Sequence, residues 1–259
     1  MISNLSVEIL SHTPEPEVTV ASAAKLCYSP SKIKEIREKC SPQTAASFIR
    51  MLSSMGHQSP FEHASFTFGI EGVSRILLAQ LTRHRMASYS VQSQRYVKET
   101  GFAFVIPPDI FQQEAALSEF NLALKTARES YEKIVSILKK VHTENSISKG
   151  IERSKAESVA EKRSIEDARY LLPGGIETKI ICTFNARSLI NFFSNRCCNR
   201  AQWEIRTLAE KMLECVIKIS PNIFANAGPP CCSGKCPENK MTCGKMQETL
   251  EKFNKIKQA

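Results

Sequence analysis

Residues 83–96, Arg-His-Arg-Met-Ala-Ser-Tyr-Ser-Val-Gln-Ser-Gln-Arg-Tyr, hold three arginines, one histidine, three serines and two glutamines, with no acid to neutralise them. A guanidinium is a planar fork of donors suited to phosphate and to planar carbonyl groups. The chemistry this run suggests is the holding of an anionic, nucleotide-like molecule. The same composition also fits a solvated basic helix face. Asn185-Ala-Arg-Ser-Leu-Ile-Asn-Phe-Phe-Ser-Asn-Arg196 is a second polar segment. Arg187, Asn191 and Asn195 are spaced by four, so they fall near one helical face beside apolar Leu189, Phe192 and Phe193. Such a face suits hydrogen bonding to a purine, a pyrimidine or a flavin. Asn185 itself stands where an N-cap belongs. A third segment, Gly56-His-Gln-Ser-Pro-Phe-Glu-His63, has two histidines but no familiar zinc spacing, and reads as a turn carrying polar contacts.

These segments need elements to position them. Alternation at Ala64, Phe66, Phe68 and Ile70 predicts a strand over 62–73. A helix follows over 74–83, with Ile76, Leu77, Leu78 and Leu81 as its buried stripe, and the basic run begins where it ends. Ser88, Ser90 and Ser93 compete for backbone bonds, so the remainder of the run reads as an ordered loop. Upstream lie a short strand over 6–11 and helices near 18–27, 31–40 and 43–54. Downstream, 110–141 is helical with an interruption before Leu122, and a second helix covers 146–169. A strand over 178–184 leads into helices at 187–193 and 202–219. The order predicts an α/β (α+β) single domain with a mixed sheet and several long helices. That domain covers 1–227. Residues 228–259 form a Cys-rich and basic tail ending in an amphipathic helix from Met246.

The chain has 259 residues, a formal net charge of +9 and 24% charged residues. That is ordinary for a globular domain and favours anionic partners. The charge is spread rather than gathered in a nucleic-acid-binding tail. No apolar stretch is long enough to cross a bilayer, and the first residues lack a signal-peptide pattern, so a cytoplasmic protein without membrane contact is expected. A single-strand binder would interleave Tyr89, Tyr96 and Phe102 with the basic run. Aromatics make up only 7%, and the arginines recur in separate segments, which argues against nucleic acid. In a reducing compartment the ten cysteines are thiols, metal ligands or redox groups. Cys182 lies within an apolar strand and reads as core. Cys231, Cys232, Cys236 and Cys243 are close enough in sequence to hold a structural Zn²⁺, although tidy Cys-x-x-Cys pairs are missing.

Together the motifs resemble the flavin-dependent thymidylate synthases. The family's Arg-His-Arg followed, after seven residues, by Ser stands here as Arg83-His84-Arg85 and Ser93. His57-Gln-Ser-Pro-Phe-Glu-His63, Ala168-Arg-Tyr-Leu-Leu-Pro173, Asn185-Ala-Arg-Ser-Leu189 with Arg196, and Ala201-Gln-Trp-Glu-Ile-Arg206 match its other elements in order. The resemblance spans about residues 5–225.

It implies reductive methylation of dUMP to dTMP in a homotetramer with shared active sites and a family-specific α/β fold. Methylenetetrahydrofolate supplies the carbon, FAD in its reduced form supplies the hydride, and NADPH re-reduces the flavin. FAD contacts are implied for His57, Ser59, Arg83, His84, Arg85, Val91, Asn185, Arg187 and Asn191. The nucleotide is implied to meet Gln80, Arg83, Val91, Gln92, Ser93, Gln94, Arg95, Arg169 and Arg196, with Arg169 reaching the phosphate from a neighbouring subunit. Arg196 is the implied catalytic group, acting as a fixed cation beside the pyrimidine. No metal is implied at this site. Family members often carry an acid where this chain has Val91. No Gly-x-Gly-x-x-Gly follows a strand, so a Rossmann mode of flavin binding is not expected.

Overall fold

Ala64, Phe66, Phe68 and Ile70 are all buried, and the stretch that carries them is a strand, as its alternation requires. The computed structural model describes residues 4–97 and 103–258. Phe102 lies outside them. In chain order the elements begin with β1 (Ser6–His12), α1 (Pro16–Leu26), α2 (Ile33–Glu38), α3 (Pro42–Ser54), β2 (Ser65–Ser74), α4 (Arg75–Leu81) and β3 (Ala87–Val91). Then come α5 (Pro108–Phe111), α6 (Glu114–Ile147), α7 (Arg153–Ala168), β4 (Glu177–Asn185), α8 (Ala186–Arg196), α9 (Trp203–Ile219) and α10 (Met246–Gln258). The α/β class holds. The strands form one sheet in the order β1-β2-β4-β3, and the sheet expected to be mixed is antiparallel at each pairing.

Two further expectations change. Residues 87–91, read as loop, are β3. Ala87, Tyr89 and Val91 point inward while Ser88 and Ser90 face solvent, so the serines were marking the wet side of a strand. The helix expected to break before Leu122 is continuous over 34 residues, since it contains no proline or glycine. It ends instead near Gly150, which takes φ +81°, and the Glu152 side chain starts α7 by accepting from the Ser154 and Lys155 amides.

The chain divides into two compact units. Among the described residues, one contains Asn4 and those within 71–78 and 91–179. Its core is built on α6 and α7, where Tyr131, Val135, Ile165 and Ala168 pack with Phe104 and Ile176. The backbone turns tightly at Gly174. Its carbonyl accepts from the Ile76 amide, and a Cβ there would sit 2.8 Å from the Ile76 side chain.

The other unit contains residues 5–70, 79–90 and 180–259. Phe66, Phe184, Phe192, Phe193 and Phe224 are fully buried and meet in a chain of ring contacts, with neighbouring centroids 5.5–6.0 Å apart. The α9 residues Ile205, Leu208, Met212 and Val216 complete this core. The tail helix α10 also packs in this unit. Phe253 is buried against Gly228, whose φ of +129° no larger residue would tolerate well, and Lys252 pairs with Glu210 at 2.5 Å. Among the described residues no helix is long and apolar enough to cross a membrane.

Candidate active site

Helix α4 ends at Leu81, and its last turn delivers Arg83, His84 and Arg85. The His84 amide donates to the Leu81 carbonyl at 3.1 Å. Carbonyls at a helix end lack intrahelical donors, and Tyr89 supplies one from β3. Its hydroxyl hydrogen is shared between the Leu81 carbonyl at 3.0 Å and the His84 carbonyl at 2.8 Å. Burial raises the Tyr89 pKa well above that of a free phenol, so the hydroxyl remains a donor. Tyr89 thus pins the turn that presents the basic triplet. Replacing it with phenylalanine takes this donor from the His84 carbonyl and leaves the Leu81 carbonyl with the His84 amide alone, at a cost of about 1–2 kcal/mol. Tyr89→Phe is expected to lower stability by that amount with the fold retained, which urea unfolding measures.

Helix α8 provides the opposite wall. The Asn185 side chain accepts from the Ser188 amide at 2.8 Å, which is the expected N-cap. Arg187 and Asn191 share the polar face, while Leu189, Phe192 and Phe193 are buried on the other. Asn195, eight residues after Arg187, has rotated off that face. It donates to the Asn191 carbonyl at 2.8 Å and lines a different cavity.

The result is a cavity of about 480 Å³ in which Arg83, His84 and Arg85 meet Asn185, Arg187 and Asn191. Gln58, Glu62, Met86 and Ser188, none of which sequence reasoning singled out, complete its lining. Arg187 forms an ion pair with Glu62, which steadies one wall. His57 and Ser59 line an adjoining cavity of about 410 Å³ that shares Gln58 and Arg187 with the first. Gln80 lines neither.

Arg196, at the end of α8, points its Nε at His84 Nε2, 3.0 Å away. Arginine is always the donor, so Nε2 must carry the free lone pair and the imidazole is neutral, with its proton on Nδ1. Burial, and then the Arg196 charge, lower the His84 pKa and hold it in that form. Burial and the nearby charge of Arg83 also lower the Arg196 pKa. A guanidinium nevertheless keeps its proton. His84 is flanked edge-on by Phe192 at 4.9 Å. The site therefore holds a cation whose direction is fixed by a neutral, tautomer-locked histidine. Arg196 also lines a cavity of about 290 Å³ with Arg200, Cys198, Cys231 and Cys236.

The other unit holds the remaining candidates. Val91 ends β3, and the Gln92 amide donates to the Lys179 carbonyl at 3.0 Å. Beyond it the chain turns, with the Arg95 amide donating to Ser93 Oγ at 3.2 Å. Arg95 pairs with the Glu166 carboxylate at 2.6 Å, and Arg169 donates to the Glu166 carbonyl at 3.1 Å. Two predicted phosphate ligands thus meet one residue, Arg95 through its carboxylate and Arg169 through its backbone carbonyl. The Gln94 side-chain amide nitrogen is buried and has no partner among the described residues.

Cys231, Cys232, Cys236 and Cys243 do not gather into the zinc arrangement that their closeness in sequence left open. Among the described residues no group of three or more His, Cys, Asp or Glu is placed to hold a metal. Cys243 accepts instead from Asn199 at 3.7 Å. Cys182 is buried as read, and burial pushes its thiol up to about 12, which removes it as a nucleophile.

A family model described as thymidylate synthase complementing protein matches residues 8–222. A flavin-dependent thymidylate synthase from Clostridium tetani is 52% identical over 244 residues, covering 94% of this chain and 95% of its own. The chain belongs to the flavin-dependent thymidylate synthase family. Its reaction class is accordingly that of a flavin-dependent methyltransferase making thymidylate. A family member from Geobacter sulfurreducens is 45% identical over 254 residues, covering 97% and 99% of the two chains. The crystal structure of the UMP/dUMP methylase PolB from Streptomyces cacaoi, bound with 5-Br dUMP, superposes with a TM-score of 0.66 at 23% identity. It covers 87% of this chain and 96% of that one, and shares the family fold.

Proposed function

We propose that the cavity between the Arg83–Arg85 turn and helix α8 holds FAD, and that the turn at Ser93–Arg95, with Arg169 reaching in from a neighbouring subunit, holds the phosphate of dUMP. The donor set supports the first part. Three guanidiniums and two asparagine amides around one cavity suit a pyrophosphate and the carbonyl-rich edge of an isoalloxazine. When bound, the flavin supplies the hydride of a reductive methylation whose carbon comes from methylenetetrahydrofolate, with NADPH as reductant. The protein's own work is positioning and electrostatics.

For the phosphate, Ser93, Arg95 and Arg169 offer a hydroxyl and two cations. A dianion arriving there competes with Glu166 for Arg95, an exchange made cheap because that pair is about half exposed. The orphan amide of Gln94 is a donor awaiting a carbonyl or phosphate oxygen. Arg196 holds its charge toward the pyrimidine and stabilises negative charge as it develops on the ring. Gln80 and Arg83 would meet the sugar or base, and Val91 would contribute through its backbone. The family pattern further supports a cytoplasmic homotetramer, with the first 227 residues as the catalytic part.

The observation that carries this reading is the 3.0 Å bond from Arg196 to a neutral His84 beside the arginine-lined cavity. The test is direct. The purified protein should carry or bind a yellow flavin and should release tritium from C5-labelled dUMP when given methylenetetrahydrofolate and NADPH. A colourless protein that does neither refutes it. Ser93→Ala and Arg95→Ala are expected to raise the KM for dUMP about tenfold or more with flavin binding intact. Unchanged nucleotide affinity would remove the assigned phosphate site.

A further inference from the structure

The cavity at His57 and Ser59 is also lined by Tyr28. Tyr28 lines in addition a separate cavity of about 510 Å³, whose walls include Ile36, Phe48, Lys25 and Lys39. That volume is within the range of small-molecule sites. The wall is apolar and aromatic, and both of its charged residues are cations. Lys25 Nζ lies 5.7 Å from the Phe48 ring centroid. On α2, Lys34 and Arg37 are paired with Glu38 and Glu15. Lys25 and Lys39 meet no carboxylate among the described residues, and the one polar contact given for Lys25 is a long bond of 3.9 Å to Cys40 Sγ.

Shared lining residues make the three cavities neighbours. Gln58 and Arg187 join the arginine-lined cavity to that of His57, and Tyr28 joins the latter to the lysine pair. An extended ligand matching this series would have an uncharged ring system by His57, an aromatic ring in the middle and negative charge at its far end. A folate has that order: pterin, aminobenzoyl ring, then glutamate carboxylates. A pyridine dinucleotide puts a pyrophosphate in the middle, where the lining offers one guanidinium, Arg187, against three in the neighbouring cavity.

We propose that the cavity of Lys25, Lys39, Tyr28 and Phe48 is the subsite for the glutamate tail of the folate co-substrate. This rests on the functional reading above and extends it. Lys25 and Lys39 bind the tail carboxylates, and Phe48 and Tyr28 flank the aminobenzoyl ring. The subsite selects poly-γ-glutamylated folate, because each added glutamate brings another carboxylate to two waiting cations.

The experiment compares tetrahydrofolate monoglutamate with its tetraglutamate on the flavin-loaded protein, by equilibrium binding and by the KM of the two methylene forms. The tetraglutamate is expected to bind about tenfold tighter at low salt, and the advantage should shrink as salt rises. The Lys25→Ala/Lys39→Ala double variant should lose that advantage, mainly in KM, while Lys25→Arg/Lys39→Arg should keep it. Lys39 is exposed and Lys25 half-buried beside Phe48 and Cys40, so the melting temperature of each variant is measured alongside, and the arginine pair, which keeps both charges, controls for lost packing. Equal affinity for the two forms, or an advantage that survives the alanine pair, overturns the subsite even if thymidylate is still made. A protein that binds neither form loses the functional reading as well, and the two failures are thereby distinguished.

Discussion

Arg196→Ala is expected to slow thymidylate formation by roughly 10²–10³-fold, the usual cost of removing one charge-stabilising donor, while flavin remains bound. Arg196 is not part of the arginine-lined cavity wall. It touches that site through His84, so its loss should spare Arg83, Arg85 and Arg187, the flavin ligands proposed above. Arg196→Lys should recover only part of the rate, since an ammonium lacks the planar fork that meets His84 with one edge and leaves the other free. The variant also has a signature beyond activity. Removing the guanidinium takes away one of the two causes of the lowered His84 pKa but leaves burial, so His84 should titrate closer to 6.5 without reaching it. A proton-NMR titration of the imidazole reads this. In the wild-type protein, as pH falls through the depressed His84 pKa, the imidazole takes a proton, Nε2 ceases to accept and Arg196 loses its hold. Activity should thus decline on an acid limb below pH 6.5. The same group costs stability there, because the unfolded chain is protonated near 6.5 while the folded one still resists. Wild-type turnover in Arg196→Ala would end the catalytic assignment.

What the sequence made legible was local. The cap at Asn185, the buried stripe of β2 and the shared face of Arg187 and Asn191 follow from neighbours a few residues apart, whose spacing is fixed by the helix or strand itself. Leu77 and Leu81 are buried as the 3.6-residue period demands, whereas Ile76, read into the same stripe, is 53% exposed. Strand β3 was hidden for a chemical reason. Its serines argue for a loop when read one at a time, and only the alternation of Ala87, Tyr89 and Val91 argues otherwise. The rest was not legible because it depends on pairings across the chain. Glu62 meets Arg187 over 125 positions, and Arg196 meets His84 over 112. Nothing near Tyr89 in sequence announces that its hydroxyl will close the end of α4. The cluster of Cys231, Cys232, Cys236 and Cys243 shows the converse, since proximity in sequence left a metal site open and did not place the four thiols around one point.

Phe192→Ala should be the most damaging single change to stability, at about 3–5 kcal/mol, a large share of what a domain has to lose. Phe192 is fully buried, with Phe184 and Phe193 centroids each 5.8 Å away. Close packing on several sides leaves the deleted volume little chance of being refilled. The same ring is the wall against which His84 stands edge-on. Its removal therefore reaches the active site by a route distinct from unfolding. With that wall gone water can approach His84, the desolvation that keeps the imidazole neutral weakens, and the bond from Arg196 becomes easier to lose by protonation. Two measurements separate these effects. Urea unfolding at neutral pH reports the cavity, and a loss below about 1 kcal/mol would contradict the packing described. The pH–rate profile of the milder Phe192→Leu variant, which retains much of the volume, reports the wall. Its acid limb should shift toward higher pH than in the wild-type protein. A limb that does not move would mean that the aromatic core supports the fold without tuning the histidine that aims Arg196.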